Sequence, residues 1–74
     1  MAKNLRYKFG KKVRLERYKK DWSQETLADK AEVSGKLIGS IERFEVSTTI
    51  DTIEKLAKAF NLHPKELFDF SDVL

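Results

Sequence analysis

Apolar residues recur at a spacing of four along the first part of the chain. Leu5, Phe9 and Val13, continued by the Arg17 position, lie on one helical stripe, and Lys or Arg fills most of the rest. The pattern predicts a helix over about residues 4–20, ended by Asp21 and Trp22. Ser23 then offers its hydroxyl to the unpaired N–H groups of a second helix, about residues 24–31, which turns Leu27, Ala28 and Ala31 inward. After the turn Glu32-Val33-Ser34, with Ser34 as cap, comes the segment "VSGKLIGSIERF", residues 33–44. Val33, Leu37 or Ile38, and Ile41 form its apolar stripe. Gly35, Lys36, Gly39, Ser40 and Arg43 form the opposite, exposed face.

Residues 44–49 read as a loop. Thr49 caps a fourth helix in which Ile50, Ile53, Leu56, Ala57 and Phe60 give the clearest amphipathic pattern of the chain, and Asn61 suits a left-handed stop. In "HPKELF", His63 stands at a cap, Pro64 at the first helical position and Glu66 at the third, which predicts a fifth helix. The expected fold is all-α, five short helices around one core, in a single domain over residues 1–74.

Composition narrows the classes. With 74 residues the chain lies near the lower limit for folding on its own core, and with no cysteine it has neither disulfides nor a thiolate metal site. No apolar run reaches the length of a membrane span, so no membrane partner is expected. The net charge of +3 is unevenly spread: residues 1–20 hold nine Lys or Arg against Glu16 alone, whereas residues 21–74 hold six basic and eleven acidic residues. Such asymmetry points to an anionic partner or to a solvated helix face. His63, the only histidine, has no ligand-spaced neighbours, and no nucleophile–base set or glycine-rich phosphate loop is present. Neither enzymatic activity, cofactor, metal nor small-molecule ligand is expected.

Two helices joined by three or four residues, the second with a polar outer face, have the layout of a helix-turn-helix. "QETLADKAEVSGKLIGSI" supplies its content: Gln24 leads, Ala28 is small at the crossing, Val33 plugs the turn and Ile38 anchors the second helix. Together with "FGKKVRLER", "WSQETLA", "IER" and "TIEKLAKAFNLHPKELF", these residues resemble the Cro/C1-type (XRE-like) helix-turn-helix regulators over about residues 9–69.

The resemblance implies a compact five-helix lambda-repressor-like DNA-binding domain, cytoplasmic, bacterial or phage-encoded, with its helix-turn-helix at helices 2 and 3. Its partner would be double-stranded DNA, with the third helix in the major groove. Carried over by position, Ser23 and Gln24 would meet phosphate. Ser34, Gly35, Lys36, Leu37 and Ser40 would occupy reading positions. Arg43 would reach a phosphate, with Ser47 and Thr48 as weaker contacts, and Arg17 and Glu42 would form a structural salt bridge. Phe68, Phe70, Val73 and Leu74 are many apolar groups for a short tail. They would join two copies into a homodimer, with recognition helices one DNA turn apart, or fold back on Leu15, Tyr18 or Trp22. Trp22 itself reads as core, and the basic face of helix one (Lys3, Arg6, Lys8, Lys11, Lys12, Arg14) as mostly solvated.

Three departures from the family pattern stand out. Glu32 and Phe44 occupy positions where glycine is usual, and each would be strained by about 1 kcal/mol if its φ is positive. Thr48 stands where proline is common. Gly35 and Gly39 replace side chains that read bases in many relatives, which suggests either close backbone approach with shape readout or reading through Lys36 and Ser40 alone. The expected function is a transcriptional regulator, of phage-repressor or restriction–modification-controller type, binding a palindromic operator. The alternative is an antitoxin- or adaptor-like interaction module with weak DNA binding, in which the glycines admit a partner helix.

Overall fold

A computed structural model describes residues 4–73. Among them the chain forms four α-helices, α1 Leu5–Lys19, α2 Gln24–Ala31, α3 Gly35–Glu42 and α4 Ile50–Phe60, followed by a 3-10 turn over Pro64–Phe68, and no strand. The expected fifth helix is therefore corrected to a 3-10 turn. Its bonds close after three residues, from Glu66 N to His63 O (2.8 Å) and from Asp69 N to Glu66 O (3.3 Å). With Pro64 removing one donor and Glu66 reaching back to the His63 N–H at 2.7 Å, five residues leave no room for an α-turn to propagate.

Every α-helix starts on a residue whose side chain accepts an otherwise orphaned N–H. Asn4 takes Tyr7 N, Ser23 takes Thr26 N and Ser34 takes Leu37 N, each at 3.0 Å, and Thr49 takes Thr52 N at 3.1 Å. The helices also end alike, on a left-handed residue that is never glycine: Asp21 (φ 57°), Glu32 (φ 59°), Phe44 (φ 64°) and Asn61 (φ 58°). At each exit the next N–H returns to the last turn, from Trp22 to Arg17 O, Val33 to Ala28 O, Glu45 to Ser40 O and Leu62 to Ala57 O. Trp22, Val33 and Leu62 then pack against the core, as such exits favour, whereas the residue after Phe44 is the exposed Glu45.

Phe9, Val13, Leu27, Ala28, Ala31, Ile38, Ile41, Leu56, Ala57, Phe60 and Leu67 form one contiguous core. Trp22 packs on its edge, stacked with Phe60 at 5.9 Å between ring centres. Two expected stripe members lie outside it: Leu5 is 63% exposed and Ile50 83%, because each is the first residue of its helix and projects past the crossing. Gly10 is buried where α1 crosses α3. A β-carbon there would collide with the Ile41 carbonyl and stand 2.8 Å from Phe44 Cδ1. That close approach sets how α3 seats on α1.

Candidate nucleic-acid interface

The α2–turn–α3 unit is held from beneath by a polar cluster. Arg17 donates from Nε and Nη2 to Glu42 Oε2 and Oε1 (2.8 and 2.9 Å) and from Nη1 to the Trp22 carbonyl (2.8 Å). Glu42, 3% exposed, accepts also from Gln24 Nε2 at 3.2 Å, and Arg14 Nε lies at 3.5 Å. The Glu42 carboxylate raises the Arg17 pKa further, against the opposing effect of burial. The last turn of α3 is thus tied to α1 and to the start of α2 at once, which fixes the rotation of α3 about its own axis.

The residues expected at an interface lie in different surroundings. Ser23 and Ser34 are exposed, and their hydroxyls are already used as helix caps. Lys36 projects into solvent and makes no hydrogen bond or ion pair among the described residues; Ser40 is half-buried beside it. Leu37, placed at a reading position by resemblance, is partly buried against the core instead. Thr48 is half-buried, and Ser47 Oγ accepts from Arg6 Nη2 at 2.9 Å, which links the α3–α4 loop to α1.

The glycines of α3 have occupants. Gly39, expected on the exposed face, is buried: a β-carbon there would lie 2.9 Å from Arg43 Nη1 and 3.6 Å from Gln24 Oε1. At Gly35 the same atom would collide with the Glu25 carboxylate. Each glycine therefore admits a side chain of this chain. Arg43 in turn donates from Nε to Glu45 Oε2 (3.0 Å) and from Nη2 to Glu45 Oε1 (3.2 Å). Neither Glu25 nor Glu45 stands out in the sequence as an interface residue. The signal available was spacing: Glu45 follows Arg43 by two residues, and Arg43 follows Gly39 by one helical turn.

The tail lies along α1. Lys12, expected among solvated cations, is 5% exposed and pairs with Glu16 (3.1 Å) and Asp72 (3.0 Å); Lys19 bridges the same two acids at 3.1 Å each. Burial disfavours the Lys12 ammonium, yet the Asp72 and Glu16 carboxylates together raise its pKa, while Lys12 and then Lys19 hold the Asp72 carboxyl below the usual range. Val73 and Asp72 line one groove with Leu15 and Tyr18. Phe68, 40% exposed, meets the rings of Phe9 (5.3 Å) and Phe70 (6.2 Å). Leu74 and Lys3 lie outside the described residues.

A short, tightly braced helix pair whose second helix offers a cationic, polar outer surface defines a helix-turn-helix protein. The helix-turn-helix family profile matches residues 11–67. The chain belongs to this family, in its Cro/C1-type branch, and is a DNA-binding transcriptional regulator. It is 40% identical over 74 residues, 99% of this chain and 91% of its relative, to the control protein C.BamHI of Bacillus amyloliquefaciens. Among solved structures it is similar to the restriction-modification controller protein C.AhdI of Aeromonas hydrophila, with TM-score 0.83 and 38% identity over 85% of this chain and 96% of that one. It is also similar to the hypothetical transcription factor NHTF of Neisseria, with TM-score 0.82 and 31% identity over 86% and 74% of the two chains.

Proposed function

We propose that residues 1–74 act as one restriction–modification-controller-type regulator that binds a twofold-symmetric operator as a homodimer. The observation that carries this reading is the seating of α3. The Arg17–Glu42–Gln24 cluster locks its inner side, while Lys36 stands free on its outer side with Ser40 beside it. The names of C.BamHI and C.AhdI as controller proteins support the assignment of type.

In this reading the capped N-termini at Ser23 and Ser34 face phosphate, where a helix end favours an anion. Lys36 and Ser40 meet base edges or phosphates. Gly35 and Leu37 keep their places in the first turn of α3 as spacers, the one filled by Glu25 and the other by core contact. Gln24, Arg43, Ser47 and Thr48 complete the DNA-facing rim. Dimerisation uses the apolar surface around Phe68 and Phe70, where Leu5 and Phe68 line one groove, together with Val73 and with Leu74, which lies outside the described residues. The interaction-module reading loses its motivation, because Gly39 is covered by Arg43 and Gln24 and offers no bare backbone to a partner helix.

Selection from random duplex DNA at near-physiological salt tests the reading. The expected result is an enriched motif with twofold symmetry and half-sites about one helical turn apart. Recovery of no motif from folded protein would reject it.

A further inference from the structure

Arg43 is the C-cap of α3, where a phosphate contact is the ordinary role. Its geometry differs from that role. Side chains on an α-helix lean toward the N-terminus, so the residue at i+4 lies over the residue at i. Because Gly39 has no β-carbon, the Arg43 guanidinium lies back across it, with Nη1 2.9 Å from where that carbon would stand. This moves the charged group about one turn, ~5 Å, toward the N-terminal end of α3, the end that meets bases in helix-turn-helix docking.

Glu45 then fixes the group in rotation. It grips the Nε and Nη2 edge through two hydrogen bonds of 3.0 and 3.2 Å, and the remaining outward N–H groups of Nη1 and Nη2 are unused by it. Glu45 stands at a helix exit, and at the three other exits the left-handed residues Asp21, Glu32 and Asn61 are followed by the apolar Trp22, Val33 and Leu62. Charge argues in the same direction. A guanidinium matched by a carboxylate is a weak lure for phosphate, whereas its directional donors persist. Both side chains remain more than half exposed, at 58% and 52%, so a ligand can reach them.

We propose that Arg43 is a specificity-determining residue that reads a guanine. Its free fork donates to N7 and O6 in the major groove, with Gly39 making room for it and Glu45 holding its plane. The assignment rests on the DNA-binding reading above. It gives Gly39 a purpose: a bare position that lets a side chain from the next turn do the reading.

The test is selection and titration with the full chain and with Arg43→Lys, Glu45→Gln and Gly39→Ala, each checked for folding by circular dichroism. Arg43→Lys keeps the charge and loses the fork. It is expected to lower the preference for guanine at one symmetry-related pair of positions by about tenfold to a hundredfold. The rest of the motif and the salt dependence should stay as they were. Replacing that guanine with 7-deazaguanine should weaken the parent protein more than it weakens Arg43→Lys, whose single ammonium lacks the fork. Glu45→Gln should relax the same position, and Gly39→Ala should match Arg43→Lys. A phosphate contact gives a different picture: Arg43→Lys is tolerated, a further variant, Arg43→Ala, weakens all sequences alike, and its salt slope falls by about 1.8, that is about 0.9 for each of the two copies. That result, or a motif unchanged in all three variants, overturns the proposal and leaves operator binding standing. Absence of any motif for the parent chain overturns both.

Discussion

The ring of Phe44 lies against the bare Cα of Gly10, its Cδ1 2.8 Å from where a β-carbon would stand, at the crossing of α1 and α3. Closer still to the same point is the Ile41 carbonyl, which cannot rotate away as a side chain can. At an exposed helix site Gly→Ala raises stability by about 1 kcal/mol. Gly10→Ala is expected to lower it by about 1–2 kcal/mol, since overpacking against backbone outweighs the propensity gain. Urea unfolding measures the difference, and a stabilised variant would refute the packing argument.

The left-handed residues Glu32 and Phe44 should respond oppositely to glycine. Glu32 is exposed and makes no side-chain hydrogen bond among the described residues, so Glu32→Gly removes backbone strain and is expected to stabilise by about 1 kcal/mol. Phe44→Gly relieves similar strain but removes a ring that contacts Tyr7 at 4.6 Å between centres and covers Gly10. It is expected to destabilise by about 1 kcal/mol or more. Thermal unfolding of the two variants side by side decides the matter by the sign of each shift.

Glu42→Ala leaves the Arg17 guanidinium buried without a carboxylate, against the Trp22 carbonyl and the Tyr18 ring. A loss of about 3–5 kcal/mol is expected. Replacing the pair together by Met and Leu should recover most of it, because neither charge is then stranded. Equal losses for the single and double variants, in denaturant titrations, would contradict this account.

Tail docking carries a pH signature. The lowered Asp72 pKa means that its contribution is complete above the ordinary aspartate value of 3.8 and is lost as pH falls through the depressed folded value. The raised Lys12 and Lys19 pKa values mean that theirs is complete below 10.5 and is lost as pH climbs through the folded values. Amide exchange at Val73, whose N–H donates to Phe70 O at 3.0 Å, should therefore be flat from about pH 5 to 10 apart from its intrinsic rate. A step near neutrality would show that other groups hold the tail.

Much of the fold was legible because its signals are local. The capping residues Ser23, Ser34 and Thr49 and the left-handed stop at Asn61 declare themselves by type and position, and the helices lie between them. The Arg17–Glu42 contact was reached through resemblance, since no periodicity joins residues 25 apart. What escaped was tertiary. Lys12 looks like any surface lysine until Asp72, sixty residues away, arrives beside it. Gly10 looks unremarkable until α3 crosses above it, and Gly39 looks exposed until Arg43 lies down on it. The 3-10 turn was missed for a plainer reason: its start signals were complete, and only its length decides against an α-helix.

The occupied glycines bear on how such a protein can be rewritten. Positions 35 and 39 invite an engineer to graft reading side chains from elsewhere onto α3. In this scaffold the space is taken, by Glu25 in one case and Arg43 in the other. A side chain grafted at 35 must displace the Glu25 carboxylate, and one at 39 the Arg43 guanidinium, so new sequence preferences are best introduced in couples, 25 with 35 and 39 with 43.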